Sequence, residues 1–187
     1  MDKRNRVLEA ALRLFVENGF HNTPTSKIAN EAGISSGTLF YFFPTKDALV
    51  IALYLDIKSR LYNDISDSTS DQIEFKTVLK KNYETTLIWA KNHKLEFKFI
   101  EQFNTSPYLK NIGLEEIEKY IKPLKDLLQN AKNEHVLKDI DLEIMFAMIS
   151  SHTFGINQYI LSKELSEQNT QLIISETFDL LWDMIKK

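Results

Sequence analysis

The sequence predicts an all-α protein, and three observations carry that expectation. Five glycines and four prolines in 187 residues are too few for the turns of a sheet-rich or loop-rich fold. Apolar residues recur at three- and four-residue spacing along nearly the whole chain. No segment shows convincing strand-like alternation. About nine helices are expected, three short ones followed by six mostly longer ones.

The first helix carries an apolar stripe of Val7, Leu8, Ala11, Leu12, Leu14 and Phe15, with Gly19 placed to stop it in a left-handed conformation. Thr25 is the expected cap of a second helix that turns Ile28 and Ala29 inward. Gly33 breaks that run, and Ser35 caps a third helix holding Leu39 and Phe43. Pro44 ends the third helix. Thr45 caps a fourth, with Asp47 in its first turn, expected to run from Lys46 to about Tyr62. The polar, short-chained stretch from Asn63 to Ser70 reads as a linker, because its side chains compete with the backbone for hydrogen bonds. Asp71 and Glu74 have capping-box spacing for a helix toward Lys91. Further helices are expected near 95–104, 114–131, 140–162 and 167–186. Ser106-Pro107 marks a turn or helix start, and Pro123 falls inside the seventh helix and should kink it.

The net charge is −3, so no global basicity points to nucleic acid. Its distribution is uneven: residues 1–60 sum to +2 and residues 61–187 to −5. With no cysteine, disulfides, thiolate nucleophiles and cysteine-bound metals are excluded. No apolar run reaches the roughly 18–20 residues of a membrane span. The amino terminus lacks the apolar block and cleavage site of a signal peptide. A soluble, cytoplasmic protein without a membrane partner is expected.

The segment TSKIANEAGISSGTLFYFFPTKDAL reads as a helix-turn-helix. Ala29, Ala32 and Gly33 keep the corner small enough for two short helices to cross closely. The second of them fits a major groove about 12 Å wide. Two turns of helix are marginal alone, so the first helix and the start of the fourth must cover the pair. Residues 4–49 resemble the TetR family of transcriptional repressors. The resemblance rests on the Leu8/Ala11/Phe15 helix, Gly19-Phe20, Thr25, Ile28-Ala29, Ala32-Gly33, Ser35, Gly37-Thr38-Leu39, Phe43, Lys46-Asp47 and Leu49. It implies a helix-turn-helix DNA-binding domain over 1–46 and a larger helical effector-binding and dimerisation domain over 47–187.

The resemblance also implies which residues meet double-stranded DNA. Thr25, with Ser26 and Lys27, opens the second helix toward phosphate. Ser35, Ser36, Gly37 and Thr38 open the recognition helix, and Gly37 allows close backbone approach. Tyr41 looks like the exposed aromatic that packs on the sugar-phosphate, and Lys46 like the phosphate-contacting lysine. Arg4 belongs to a basic arm with Lys3 and Arg6. One departure stands out: Phe40 occupies a position where the family commonly has tyrosine. Since no Arg or Asn lies in 35–43 for a bidentate base contact, discrimination leans on surface fit, the arm and DNA shape.

In the second half, the helix near 140–162 carries two neighbouring faces. Ala147, Ser151 and Phe154 lie on one; Met148, His152 and Tyr159 lie on the other. The last helix offers Ile174, Phe178 and Leu181. These six residues of the first face and the last helix are the expected interface of a twofold homodimer, the arrangement the family implies, which would read a palindromic operator. Tyr83, Trp89, His93, Phe103, Tyr120, Met148, His152 and Tyr159 are the candidate lining of a pocket for a small hydrophobic or aromatic effector. No histidine spacing suggests a metal, and no phosphate loop, nucleophile elbow or triad suggests an enzyme, so neither cofactor nor catalysis is expected. The competing expectation is an all-helical ligand-binding or protein-interaction module without specific operator recognition.

Overall fold

The structure is a computed structural model that describes residues 2–70 and 74–187. The described elements are α1 (Lys3–Asn18), α2 (Thr25–Glu31), α3 (Ser36–Phe42), α4 (Lys46–Thr69), α5 (Phe75–Asn92), α6 (Lys94–Asn104), a 3-10 turn (Pro107–Asn111), α7 (Leu114–Asn133), α8 (Leu142–Leu161) and α9 (Glu167–Ile185). The only pairing of β type among the described residues is an isolated bridge between Leu137 and Lys186. The all-α expectation holds.

Contacts gather the chain into two units. The first comprises Met1–Arg60 with His93–Glu116, and the second Leu61–Asn92 with Ile117–Lys187. Within the first, α1 packs against α2, α3 and α6. Its stripe delivers Val7, Ala11 and Phe15, all fully buried. The core is aromatic. Phe20 stands edge-on to Phe15, Phe99 and Tyr108 at 5.3–5.6 Å, and Tyr54 stacks on Phe103 at 4.0 Å between ring centroids. Gly19 ends α1 at φ 76°, where a side chain would be strained, and its amide donates to the Phe15 carbonyl. Thr23, fully buried, shares its hydroxyl between the Leu14 and Gly19 carbonyls.

In the second unit α5, α8 and α9 pack on one another. Leu79, Tyr83, Leu87, Leu128, Met145, Ile149, Ile174, Phe178, Leu181 and Ile185 build its core. Lys91 donates to Thr170 and Phe75 lies 6.0 Å from Trp182, which fixes α5 antiparallel to α9.

Two boundaries differ from the sequence expectation. Helix α4 runs past Tyr62 to Thr69, through the expected linker. The hydroxyls of Ser68 and Thr69 both donate back to the Ile65 carbonyl at 2.8 and 2.9 Å, so they lie along the helix rather than breaking it. Thr25 is the first residue of α2 rather than its cap. The Pro24 carbonyl already accepts from the Lys27 and Ile28 amides, and Pro24 occupies the cap position without a side-chain bond. Asp71 lies outside the described residues. Glu74 does cap α5, accepting from the Lys76 and Thr77 amides. Pro123 sits inside α7, which extends on both sides of it.

Candidate nucleic-acid interface

The corner between α2 and α3 is built as its small residues require. Ala29 and Ala32 are buried, Gly33 takes φ 64°, and the Gly33 and Ile34 amides donate to the Asn30 and Ala29 carbonyls at 3.0 Å each. Leu39, fully buried, pins the inner side of α3. Ser35 then sets where α3 begins. Its Oγ accepts from the Thr38 amide at 3.2 Å and lies 2.9 Å from the Thr38 hydroxyl.

With Leu39 inside, the opposite side of α3 faces solvent. Ser35, Ser36 and Gly37 are exposed and Thr38 half-buried. Tyr41 is 83 % exposed and Phe40 45 %, an unusual display of rings on a two-turn helix. Tyr41 makes an edge contact with Phe42 at 5.4 Å and otherwise stands open. Ser26 and Lys27 are exposed on α2, with Thr25 half-buried beside them. Lys46, half-buried, is the first residue of α4, where Thr45 caps the helix by accepting from the Ala48 amide at 3.0 Å.

One pairing was not legible in the sequence. The Arg4 guanidinium lies 5.4 Å from the centroid of the Phe43 ring, and α1 already begins at Lys3. The basic arm is therefore a helical turn tied to the carboxyl end of α3. A cation three residues from one end of a sequence and a ring forty residues on carry no spacing signal of their own.

In the first unit the geometry thus sets out hydroxyls, a bare glycine backbone, an open phenol and cations on α2, α3 and the start of α4. This chemistry suits phosphate and the edge of a groove.

Residues read from sequence as pocket lining fall on both units. Tyr83 and His152 are brought together. The Tyr83 hydroxyl is 3.2 Å from His152 Nε2 and donates to Thr177 Oγ1 at 2.9 Å. Burial pushes the Tyr83 phenol up to about 12, opposed by its bond with Thr177. Trp89 is buried and Met148 half-buried. Tyr120 meets Tyr62 edge-on at 6.0 Å. Tyr159 is 48 % exposed. His93 and Phe103 belong to the first unit, where His93 precedes α6 and Phe103 fills the aromatic core.

The expected interface residues also divide. Ala147 and Ser151 are exposed and Phe154 half-buried on α8. Ile174, Phe178 and Leu181 are no more than 1 % exposed, inside the core of their own unit, so they cannot form a surface. The last helix is apolar on adjacent faces, and the structure turns the Ile174 face inward. What it leaves outside is Leu172 and Leu180, 56 % and 66 % exposed, with Ile144 on α8 at 56 %. Gly155, on the exposed side of α8, would place a Cβ within 4 Å of nothing.

Among the described residues, no group of three or more His, Asp or Glu is gathered to hold a metal. No single helix among them is long and apolar enough to cross a membrane.

Residues 7–53 match the family model for bacterial regulatory proteins of the tetR family. Over 178 residues the chain is 24 % identical to the fatty acid metabolism regulator protein of Bacillus subtilis, covering 91 % of this chain and 88 % of that one. A solved structure from Shewanella sp. PV-4, assigned to the tetR family, superposes with TM-score 0.92 at 26 % identity and full coverage of both chains. The fatty acid degradation regulator FadR of Bacillus halodurans has the same fold, with TM-score 0.81 at 20 % identity, covering 95 % and 97 %. A helix-turn-helix that matches the family model over residues 7–53, joined to a helical layout that superposes end to end on a solved structure assigned to that family, makes the chain similar to the TetR family of transcriptional regulators along its whole length.

Proposed function

We propose that this chain is a homodimeric repressor that binds a pseudopalindromic operator and is released by a small hydrophobic or aromatic effector. Residues 1–46 act as the DNA-binding domain, and residues 47–187 as the effector-binding and dimerisation domain. The observation that carries the reading is the outward side of α3, where Ser36, Gly37 and an 83 % exposed Tyr41 stand on a helix held rigid by Leu39 and the Ser35 cap. Ser26, Lys27 and Lys46 flank it with phosphate donors, and Arg4, Thr25, Ser35 and Thr38 complete the contact set.

A helix of seven residues reads few bases. Two copies on a twofold axis read two half-sites. Support for the dimer is the apolar exposed side of α8 and α9: Ile144, Leu172 and Leu180, with small Ala147, Ser151 and Gly155 that let a partner helix come close. The effector class is suggested by the names of two relatives concerned with fatty acid metabolism and degradation. It also suits the supply of apolar and aromatic side chains on α5, α7 and α8. An effector acts by favouring a spacing of the recognition helices that DNA does not accept.

The test is enrichment from random duplex DNA on the full-length protein. An inverted repeat is the expected product. No enrichment at all would overturn the reading in favour of an interaction module that keeps the fold without an operator.

A further inference from the structure

We infer that Asn157 is the polar contact of the effector site, receiving a hydrogen-bond-donating group, a hydroxyl or an amide N–H, carried on an otherwise apolar molecule. The inference rests on the reading above that the larger unit takes an apolar effector. Asn157 is 2 % exposed, and its Oδ1 has no hydrogen-bond partner. Buried side-chain polar groups are nearly always paired, so an unpaired oxygen at this depth calls for a partner.

The rest of α8 makes the exception sharper. About one and a half turns earlier, His152 is fully engaged with Tyr83 and Thr177. On that side Met145, Ile149 and Ile160 join the apolar core. On the solvent side lie Ile144, Ala147, Ser151 and Gly155. Asn157 belongs to neither side. Helical phase groups it with Phe146, Thr153 and Leu161, all half-buried, on a third stripe. Thr153, one turn before Asn157, donates its hydroxyl to the Ile149 carbonyl at 2.8 Å, which leaves only lone pairs at its Oγ1. Two acceptors one turn apart on an otherwise apolar stripe call for a donor. A hydrocarbon brings none, and an ether or ester oxygen only accepts.

The experiment titrates the full-length chain with 1-decanol and with decyl methyl ether, following Trp89 and Trp182 fluorescence. The two probes carry the same chain, and only the alcohol can donate. The native chain is expected to bind the alcohol about tenfold more tightly. Asn157→Leu should bring the two affinities together by weakening the alcohol, while Asn157→Ser, which keeps an acceptor, should retain part of the preference. Equal affinities in the native chain, or a preference that survives Asn157→Leu, would overturn the assignment, as expected if a buried water already satisfies the amide; the apolar-effector reading would survive either result. Failure of both probes to bind would contradict that reading, and this assignment with it.

Discussion

The Tyr83 hydroxyl and His152 Nε2 stand 3.2 Å apart, and a third residue fixes how the protons lie between them. His152 Nε2 is also 3.0 Å from the Thr177 carbonyl, which can only accept, so Nε2 carries the hydrogen. The Tyr83 hydroxyl donates to Thr177 Oγ1, which passes its own hydrogen to the Ile173 carbonyl at 2.6 Å. One layer of polar groups thereby ties α5, α8 and α9 together inside an apolar core. Tyr83→Phe is expected to cost about 1 kcal/mol of unfolding free energy, read from urea denaturation. No change would show that the layer contributes shape alone.

The same phenol makes stability depend on alkaline pH. Its folded value of about 12 lies above the ordinary phenol value of 10.0, so the folded chain holds the proton that the unfolded chain releases. The stabilising effect is complete below about pH 10 and is lost as pH rises through the folded value, by at most about 1.4 kcal/mol per pH unit. Urea midpoints at pH 9 and pH 11 should therefore differ more for the native chain than for Tyr83→Phe. Equal differences would contradict it.

On α3 the cap and the contact residues separate. Ser35→Ala removes the acceptor of the Thr38 amide and should cost about 1 kcal/mol of stability. Tyr41→Ala removes a side chain that packs on little, so stability should stay within about 0.5 kcal/mol while operator affinity falls. A variant that unfolds would refute the reading of Tyr41 as a free contact residue.

Lys46→Ala should weaken binding to all duplexes about equally and reduce the salt slope by roughly one per subunit. An unchanged slope would take Lys46 off the list of phosphate contacts.

The interface prediction contrasts two leucines one residue apart. Leu180→Glu places a charge on an exposed position and should yield a folded monomer by sedimentation. Leu181→Glu buries a charge in the core and should unfold the chain, which circular dichroism reports. A dimer that tolerates Leu180→Glu would move the interface elsewhere.

How legible all this was depends on the kind of constraint. The helix-turn-helix was readable because its corner needs particular residues: Gly33 at positive φ, small Ala29 and Ala32, and a hydroxyl at Ser35. The phase of α9 was not. Ile173, Thr177, Leu180 and Met184 form one apolar stripe and Ile174, Phe178, Leu181 and Ile185 another, and only packing decides which goes inside. The end of α4 escaped because Ser68 and Thr69 can either break a helix or bond back along it, and the sequence does not say which. Asn157 gave no signal, since one asparagine among apolar residues looks the same buried or exposed.

The proposed repression depends on two recognition helices held at one fixed spacing. The most direct measurement takes the enriched operator and inserts roughly five base pairs, about half a helical turn, between its half-sites. The account predicts that affinity falls by about two orders of magnitude or more, because the second helix then faces the wrong side of the duplex. Undiminished affinity would mean that each α3 binds alone and that no twofold pair reads the site.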